Sequence, residues 1–96
     1  MKTLTEIKIT LSEKRATLFK KYPIKTLAIF GSFARNEQNE NSDLDLLVEF
    51  NEKVGSEFIQ LADDLEDFLG FKVDLVSKKG VKERYFAQIK DELIYV

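Results

Sequence analysis

The sequence predicts an α+β fold in which a small mixed β-sheet of three to four strands is flanked by helices. Segments whose apolar residues have helical spacing alternate with short apolar segments typical of strands. The polar segment between the first two strands, residues 36–42, is too short to hold a crossover helix, so we expect a mixed sheet. With 96 residues, we expect one domain over residues 1–96.

The first element is a helix that begins after Thr3. Thr3 and Glu6 have the spacing of a capping box, in which each side chain bonds the backbone of the other residue. Pro23 ends the helix, because the residue before a proline avoids helical geometry. The residues that follow helical spacing are Leu4, Ile7, Leu11, Leu18 and Tyr22.

Two strands follow, separated by a short helix and a loop. Residues 25–30 form a mostly apolar run that stops at Gly31, and a short helix is expected from Ser32 to Arg35. The second strand covers residues 44–50 and alternates with a period of two. One of its faces carries Leu44, Leu46, Val48 and Phe50, and the other carries Asp43, Asp45, Leu47 and Glu49.

The second half of the chain predicts a helix, a strand and a last helix. Ser56 is the expected N-cap of the first of these helices, and Gly70 is the expected C-terminal stop. Residues 71–77 are expected to form a third strand, and residues 81–91 the last helix. The apolar stripe of the first helix consists of Phe58, Leu61, Ala62, Leu65, Phe68 and Leu69. The inner side of the last helix is expected to carry Val81, Tyr85, Phe86 and Ile89, and residues 93–96 either add a short strand or pack on the core.

Composition excludes several kinds of chemistry. The chain has no cysteine and no histidine, so acid–base or metal chemistry must use carboxylates, lysine, tyrosine or hydroxyl groups. Its net charge of −2 does not indicate a nucleic-acid-coating protein. No apolar stretch approaches the roughly 18 residues of a membrane span, and we expect a cytoplasmic protein.

Three aspartates form the candidate catalytic and metal site. Asp43 and Asp45 are two residues apart on a strand, so their carboxylates leave the same face about 7 Å apart. Asp74 interrupts an otherwise apolar strand, where a carboxylate without a partner is costly. If the two strands are neighbours, the three carboxylates can hold one or two Mg²⁺ ions for phosphoryl or nucleotidyl transfer. Taken singly, the D-x-D pattern is commonly an ordinary strand edge, and Asp74 can be a residue that faces water.

The turn after the first strand is the candidate phosphate-binding site. Gly31 has no side chain to block an approaching phosphate, and the Ser32 hydroxyl can bond a terminal phosphate oxygen. Arg35 either reaches a phosphate or pairs with Glu37 or another acid. Phe33, between these residues, is expected near the nucleotide or a partner.

The segments GSFAR and SDLDLLV resemble the G-S-x-A-R-G and S-D-x-D-L-x-V motifs of the minimal nucleotidyltransferases, in the DNA polymerase β-like superfamily. The later VDLV resembles the strand with that family's third carboxylate. The resemblance implies that Gly31 and Ser32 bind the triphosphate and that Asp43 and Asp45 bind metal ions. It implies that Asp74 completes the site and helps to deprotonate the attacking hydroxyl. Asn36 stands where the family usually has glycine, and asparagine tolerates the left-handed backbone.

The resemblance also implies a partner. Many single-domain members of the family resemble antitoxins of HEPN-domain toxins, and are thought to transfer AMP from ATP to a tyrosine of the toxin. Two alternatives stay open: a binding module that neutralises a partner by contact alone, and an enzyme that modifies an RNA end or a small molecule.

Two charged surfaces have ordinary structural explanations as well as functional ones. In the functional explanation, the basic cluster steers a triphosphate or an acidic partner. In the structural explanation, it is a solvated turn and helix start. The acidic face of the third helix either solubilises the chain or docks a basic partner. The basic residues are Lys78, Lys79, Lys82 and Arg84, and the acidic ones are Asp63, Asp64, Glu66 and Asp67.

Overall fold

The computed structural model describes residues 2–96 and contains one four-stranded sheet with helices on both faces. This arrangement confirms the predicted α+β class. The helices are α1 (Leu4–Lys21), α2 (Gly31–Ala34), α3 (Glu57–Leu69) and α4 (Glu83–Ile89), and the strands are β1 (Ile24–Phe30), β2 (Leu44–Phe50), β3 (Val73–Ser77) and β4 (Ile94–Tyr95). Two 3₁₀ turns, Lys78–Gly80 and Lys90–Glu92, lie on either side of α4.

The sheet is mixed, with the strand order β3-β2-β1-β4. β1 pairs antiparallel with β2 and with β4, whereas β2 and β3 are parallel. A parallel pair needs a long crossover connection, and α3 lies within it. The tail therefore adds a short strand, which was one of its two expected outcomes.

Helix α1 begins and ends as its sequence predicts. The Thr3 hydroxyl accepts a hydrogen bond from the backbone N–H of Glu6 at 3.2 Å. The helix stops at Lys21, two residues before Pro23. Ile7, Leu11 and Leu18 are buried against the sheet.

The two faces of the sheet have different cores. Helices α1 and α3 cover one face, where Leu44, Leu46 and Val48 of β2 are buried. On the opposite face Leu47 packs with Phe30 and with Ile89 of α4 in a smaller apolar cluster. Because side chains alternate along a strand, Asp45 lies on the same face as Leu47.

Helix α3 starts and stops at the predicted residues, but the predicted N-cap side chain does not cap it. Gly70 ends it with a left-handed backbone, φ 78°. Ser56 occupies the N-cap position, but its side chain makes no capping hydrogen bond, because its backbone is already helical (φ −60°, ψ −20°). The Glu57 carboxylate instead accepts a hydrogen bond from the backbone N–H of Gly55 at 3.2 Å.

The last helix is shorter than the predicted span of residues 81–91. The backbone at Lys82 is extended, which delays the start of α4 to Glu83, and the chain tightens into a 3₁₀ turn after Ile89. Tyr85 was expected on the inner side, yet it is 44% exposed. Its ring packs edge-on against Phe30 at the border of the smaller apolar cluster, with centroids 6.3 Å apart.

Two acidic residues of α3 have structural contacts. Asp64 pairs with Lys21 at 2.8 Å and accepts a hydrogen bond from the Tyr22 hydroxyl. Glu66 accepts a hydrogen bond at 2.9 Å from the backbone N–H of Val73, the first residue of β3. Within residues 2–96, no helix is both long enough and apolar enough to cross a membrane.

Candidate active site

Asp45 and Asp74 lie side by side on neighbouring strands. The parallel register of β2 and β3 pairs Asp45 with Asp74, between the pairs Leu44–Val73 and Leu46–Leu75. Residues paired in this way project to the same face of the sheet. The carboxylates, far apart in the sequence, are therefore neighbours, as the sequence analysis required.

The pairing perturbs the Asp45 carboxyl group. Asp45 is half-buried whereas Asp74 is exposed. Burial, together with the negative charge of Asp74 and a weaker contribution from Asp43, raises the pKa of Asp45 to about 6. Ionising both members of this pair costs free energy, and a cation between them would remove that cost. Oxygen ligands of this kind suit Mg²⁺.

Asp43 lies one residue before β2, outside the strand register. It is partly buried and close enough for its charge to raise the pKa of Asp45. The described residues nevertheless contain no group of three or more acidic side chains that surrounds a single metal position. The described structure thus provides a carboxylate pair with a third acid nearby.

Gly31 brings the β1–α2 turn against Asp45. Its backbone is left-handed, φ 77°, which favours glycine. A Cβ atom added there would lie 2.0 Å from Oδ2 of Asp45, far inside van der Waals contact. Gly31 was predicted to admit a phosphate, and in the structure its missing side chain makes room for Asp45. Asn36 closes the turn after α2 with φ 58°, as predicted for a residue that replaces glycine.

Two nitrogen donors lie beside the carboxylate pair. The backbone N–H of Gly31 donates a hydrogen bond to Oε2 of Glu92, at 2.5 Å. Arg35 donates to Glu37 at 2.8 Å and also pairs with Glu92 at 3.1 Å. The structure thus shows Arg35 paired with acids, which was one of its two expected roles.

A cavity of about 410 Å³ opens over these groups. Three residues predicted from the sequence to bind nucleotide line this cavity together with Asp45, one of the three predicted catalytic aspartates. Its lining residues are Phe30, Gly31, Ser32, Arg35, Asp45, Tyr85, Gln88, Ile89 and Glu92. A larger cavity of about 770 Å³ lies at the other ends of β2 and β3, near Asn51 and Lys79, and lacks the carboxylate pair. We place the site in the smaller cavity because its groups suit phosphate and metal.

Tyr85 and Glu92 line the cavity but were not predicted as site residues from the sequence. Tyr85 belonged to an apolar stripe, and only its 44% exposure sets it apart from the core. Burial, and then the negative charges of Asp45, Asp74 and Glu92, raise the pKa of its hydroxyl, which therefore stays protonated. Glu92 has no sequence signal, because its position depends on a 3₁₀ turn that follows a helix of unpredicted length.

Phe33 and the basic cluster do not belong to this cavity. Phe33 was expected near the nucleotide, but it is 2% exposed and packs against Phe71 with ring centroids 5.8 Å apart. The short α2 helix turns it into the main core. In the basic cluster, Lys78 pairs with Glu49 at 3.6 Å and lies over the Phe86 ring.

Known proteins are similar to this chain in sequence. The model of the nucleotidyltransferase domain family matches residues 10–96. A candidate protein adenylyltransferase of Methanocaldococcus jannaschii is 51% identical over all of both chains. The protein adenylyltransferase MntA of Thermococcus cleftensis is 37% identical over the whole of this chain and 98% of its own.

Solved structures agree with the fold. The structure of a candidate minimal nucleotidyltransferase superposes with a TM-score of 0.78 at 35% identity, over 97% of this chain and 95% of the other. An MNT antitoxin structure, in complex with the tri-AMPylated HEPN toxin of Shewanella oneidensis, matches with a TM-score of 0.66. It is 18% identical over 93% of this chain and 70% of that chain, so this likeness concerns the fold alone. The family model, the full-length relatives and the shared fold lead to one conclusion: the chain belongs to the minimal nucleotidyltransferases.

Proposed function

We propose that this nucleotidyltransferase is a Mg²⁺-dependent protein adenylyltransferase that moves AMP from ATP to a tyrosine hydroxyl of a partner HEPN toxin. The observation that carries the proposal is the pairing of Asp45 with Asp74 beside Gly31. The adenylyltransferase activity named for relatives 51% and 37% identical over the full chain supports the reaction type. The toxin–antitoxin complex of like fold supports the choice of partner.

The metal-binding role falls to the carboxylates. Asp45 and Asp74 would bind Mg²⁺, with Asp43 adding a third oxygen ligand. The raised pKa of Asp45 supports this role, since the pair bears uncompensated negative charge. When bound, Mg²⁺ would offset the negative charge that develops on the attacking and leaving oxygens.

The phosphate-binding role falls to the turn after β1. The backbone N–H of Gly31 and the guanidinium of Arg35 are donors that already hold a carboxylate, so they suit a phosphate oxygen equally. The Ser32 hydroxyl lines the same cavity and can add a further bond. These donors would orient the triphosphate with its α-phosphorus near the carboxylate pair.

The transfer itself forms one bond and breaks one. The tyrosine oxygen of the acceptor attacks the α-phosphorus, the bond from that phosphorus to the bridging oxygen breaks, and pyrophosphate leaves. Asp74 is the group we assign to accept the hydroxyl proton, because it is exposed on the outer strand β3, where an acceptor can approach. A nucleotide would fill most of the cavity of about 410 Å³, so we propose that the acceptor tyrosine approaches from outside the cavity, on another protein.

The test is transfer of label from α-labelled ATP, with Mg²⁺, to the protein encoded next to this chain, which we expect to contain a HEPN domain. We expect the wild-type chain to label the partner and the Asp43→Ala, Asp45→Ala double variant to lose at least about 100-fold in rate. Asp63→Ala, Asp67→Ala is the matched control, since it removes two exposed aspartates of α3. Changing the labelled tyrosine of the partner to phenylalanine should abolish labelling.

The same reaction discriminates the contact-only module. Such a module would neutralise the partner without ATP and would tolerate the Asp43→Ala, Asp45→Ala change. Equal labelling by the double variant and the wild type would refute our assignment of the carboxylates. Neutralisation without any labelling would refute the adenylyltransferase proposal.

A further inference from the structure

The carboxylate of Glu92 occupies the donors that the proposed function assigns to the triphosphate. Its Oε2 atom accepts hydrogen bonds from the backbone N–H of Gly31 and from Nη1 of Arg35, the latter at 3.1 Å. Its Oε1 atom lies 3.2 Å from the same nitrogen. Both oxygens of one anionic group are therefore held by the phosphate-binding turn.

The position of Glu92 is set by the fold. Glu92 ends the 3₁₀ turn Lys90–Glu92, and β4 begins two residues later. β4 pairs with Ala28 and Ile29 of β1, immediately before the Gly31 turn. The pairing of β4 with β1 thus brings the 3₁₀ turn Lys90–Glu92 over the cavity. The Glu92 side chain is mostly covered there, with 20% of its surface exposed.

Glu92 and a triphosphate cannot use these donors together. The Gly31 N–H has one hydrogen, which can make one strong bond. A carboxylate and a phosphate held by the same donor would also repel each other. Arg35 retains its contact with Glu37 when Glu92 departs, so its guanidinium stays in place for the phosphate.

We propose that Glu92 is a built-in competitor of the triphosphate, which must displace this carboxylate from Gly31 and Arg35 in order to bind. The inference rests on the proposed nucleotide-binding function of this site. In most molecules of the free chain, Glu92 then holds the two donors. The apparent affinity for nucleotide falls in proportion to the fraction of molecules in which Glu92 has left the donors. Removing the charge of Glu92 increases that fraction.

The test is the affinity of the full chain for ATP in the presence of Mg²⁺, measured by isothermal titration calorimetry without any partner protein. Glu92→Gln keeps the size of the side chain but weakens its hold on the donors, and Glu92→Ala removes the contacts. Because each change weakens or removes the competing contact, both variants should bind ATP roughly three- to tenfold more tightly than wild type. Asp91→Asn is the matched control, because Asp91 is an exposed acid of the same 3₁₀ turn.

The outcomes separate the two proposals. Tighter binding by both Glu92 variants, with Asp91→Asn unchanged, supports the competitor. Equal or weaker binding by Glu92→Gln and Glu92→Ala, with wild type binding ATP, overturns the competitor and leaves the proposed function standing. Equal tightening by Asp91→Asn also overturns it, because general charge would then explain the effect. Binding by none of the four proteins overturns the proposed function, and with it this inference.

Discussion

At the scale of single residues, the half-buried carboxyl of Asp45 destabilises the folded chain. Its pKa rises from 3.8 to about 6 because burial and the Asp74 carboxylate disfavour the ionised form. The folded chain therefore holds this proton more tightly than the unfolded chain does. The resulting free-energy cost is fully present above about pH 6, and it disappears as the pH falls below 4.

Replacing Asp45 by Asn should therefore stabilise the protein at neutral pH. After allowance for solvent screening, we expect a gain of about 1 kcal/mol, or about 4–8 °C in melting temperature, at pH 7.5. Thermal unfolding at pH 7.5, 6, 5 and 4, without divalent ions, should show the gain shrinking between pH 6 and pH 4. Asp63→Asn, on the exposed face of α3, is the control. An Asp45→Asn gain that is independent of pH would contradict the raised pKa.

The glycines provide a second prediction at this scale. Gly31→Ala places a Cβ 2.0 Å from Asp45 Oδ2 and also requires a left-handed alanine, so we expect a loss on the order of 2–3 kcal/mol and a severe loss of transfer activity. Gly70→Ala has φ 78° but open space around it, and should cost about 1 kcal/mol. Gly80→Ala meets no atom within 4 Å and should be close to neutral. Urea unfolding of the three variants should give this order, and a neutral Gly31→Ala would refute the tight turn.

At the scale of elements, the position of β3 decides whether Asp74 reaches Asp45. Glu66 of α3 accepts a partly buried hydrogen bond from the backbone N–H of Val73, the residue before Asp74. The helix that connects β2 to β3 thus also fixes the start of β3. An acidic face that the sequence suggested to be mainly solubilising contains this structural contact.

Replacing Glu66 by Ala should loosen β3 in particular. The partly buried N–H of Val73 would lose its acceptor, so we expect a loss of about 1–2 kcal/mol. Amide hydrogen exchange should become faster at Val73 and Asp74 than in β1. Asp67→Ala, an exposed neighbour on α3, should change neither stability nor exchange appreciably. Uniformly faster exchange across the sheet would indicate a global effect and contradict this role.

How far the elements could be predicted depended on the length of their patterns. The long periodic segment of α1 and the alternating strand β2 were predicted almost residue by residue, because each pattern repeats several times. The last helix was predicted too long. Val81 and Ile89 pack in the same apolar cluster, but the extended backbone at Lys82 separates Val81 from the helix. Phe33 was misplaced because a helix of four residues has too little sequence to reveal its buried side.

At the scale of the whole molecule, unequal coverage of the two sheet faces creates the site. Helices α1 and α3 cover one face, while the short α4 covers only the cluster of Phe30, Leu47 and Ile89 on the other. The carboxylate pair and the Gly31 turn lie beside that cluster. The sequence could predict Asp45 and Asp74, since aspartate is unusual in strands, and Gly31, since it ends an apolar strand segment. It could not predict Tyr85 and Glu92, because only tertiary packing brings them over the cavity.

Magnesium should stabilise the whole fold through this site. At ten times its dissociation constant, a ligand that binds only the folded chain adds about 1.4 kcal/mol, or roughly 6–11 °C in melting temperature. We expect this shift for wild type at pH 7.5 and its loss in the Asp45→Asn, Asp74→Asn double variant. Sodium chloride at matched ionic strength is the control. The same shift in the double variant would place the ion elsewhere.

The parallel pairing of β2 with β3 also has a kinetic consequence. Asp45 and Asp74 meet only after α3 has crossed between the two strands, and such distant pairing is slow to form because loop closure is costly. If the carboxylates are still apart at the rate-limiting barrier to folding, an ion that bridges them stabilises the native state but not the transition state. Stopped-flow experiments should then show that magnesium slows unfolding and leaves the refolding rate almost unchanged.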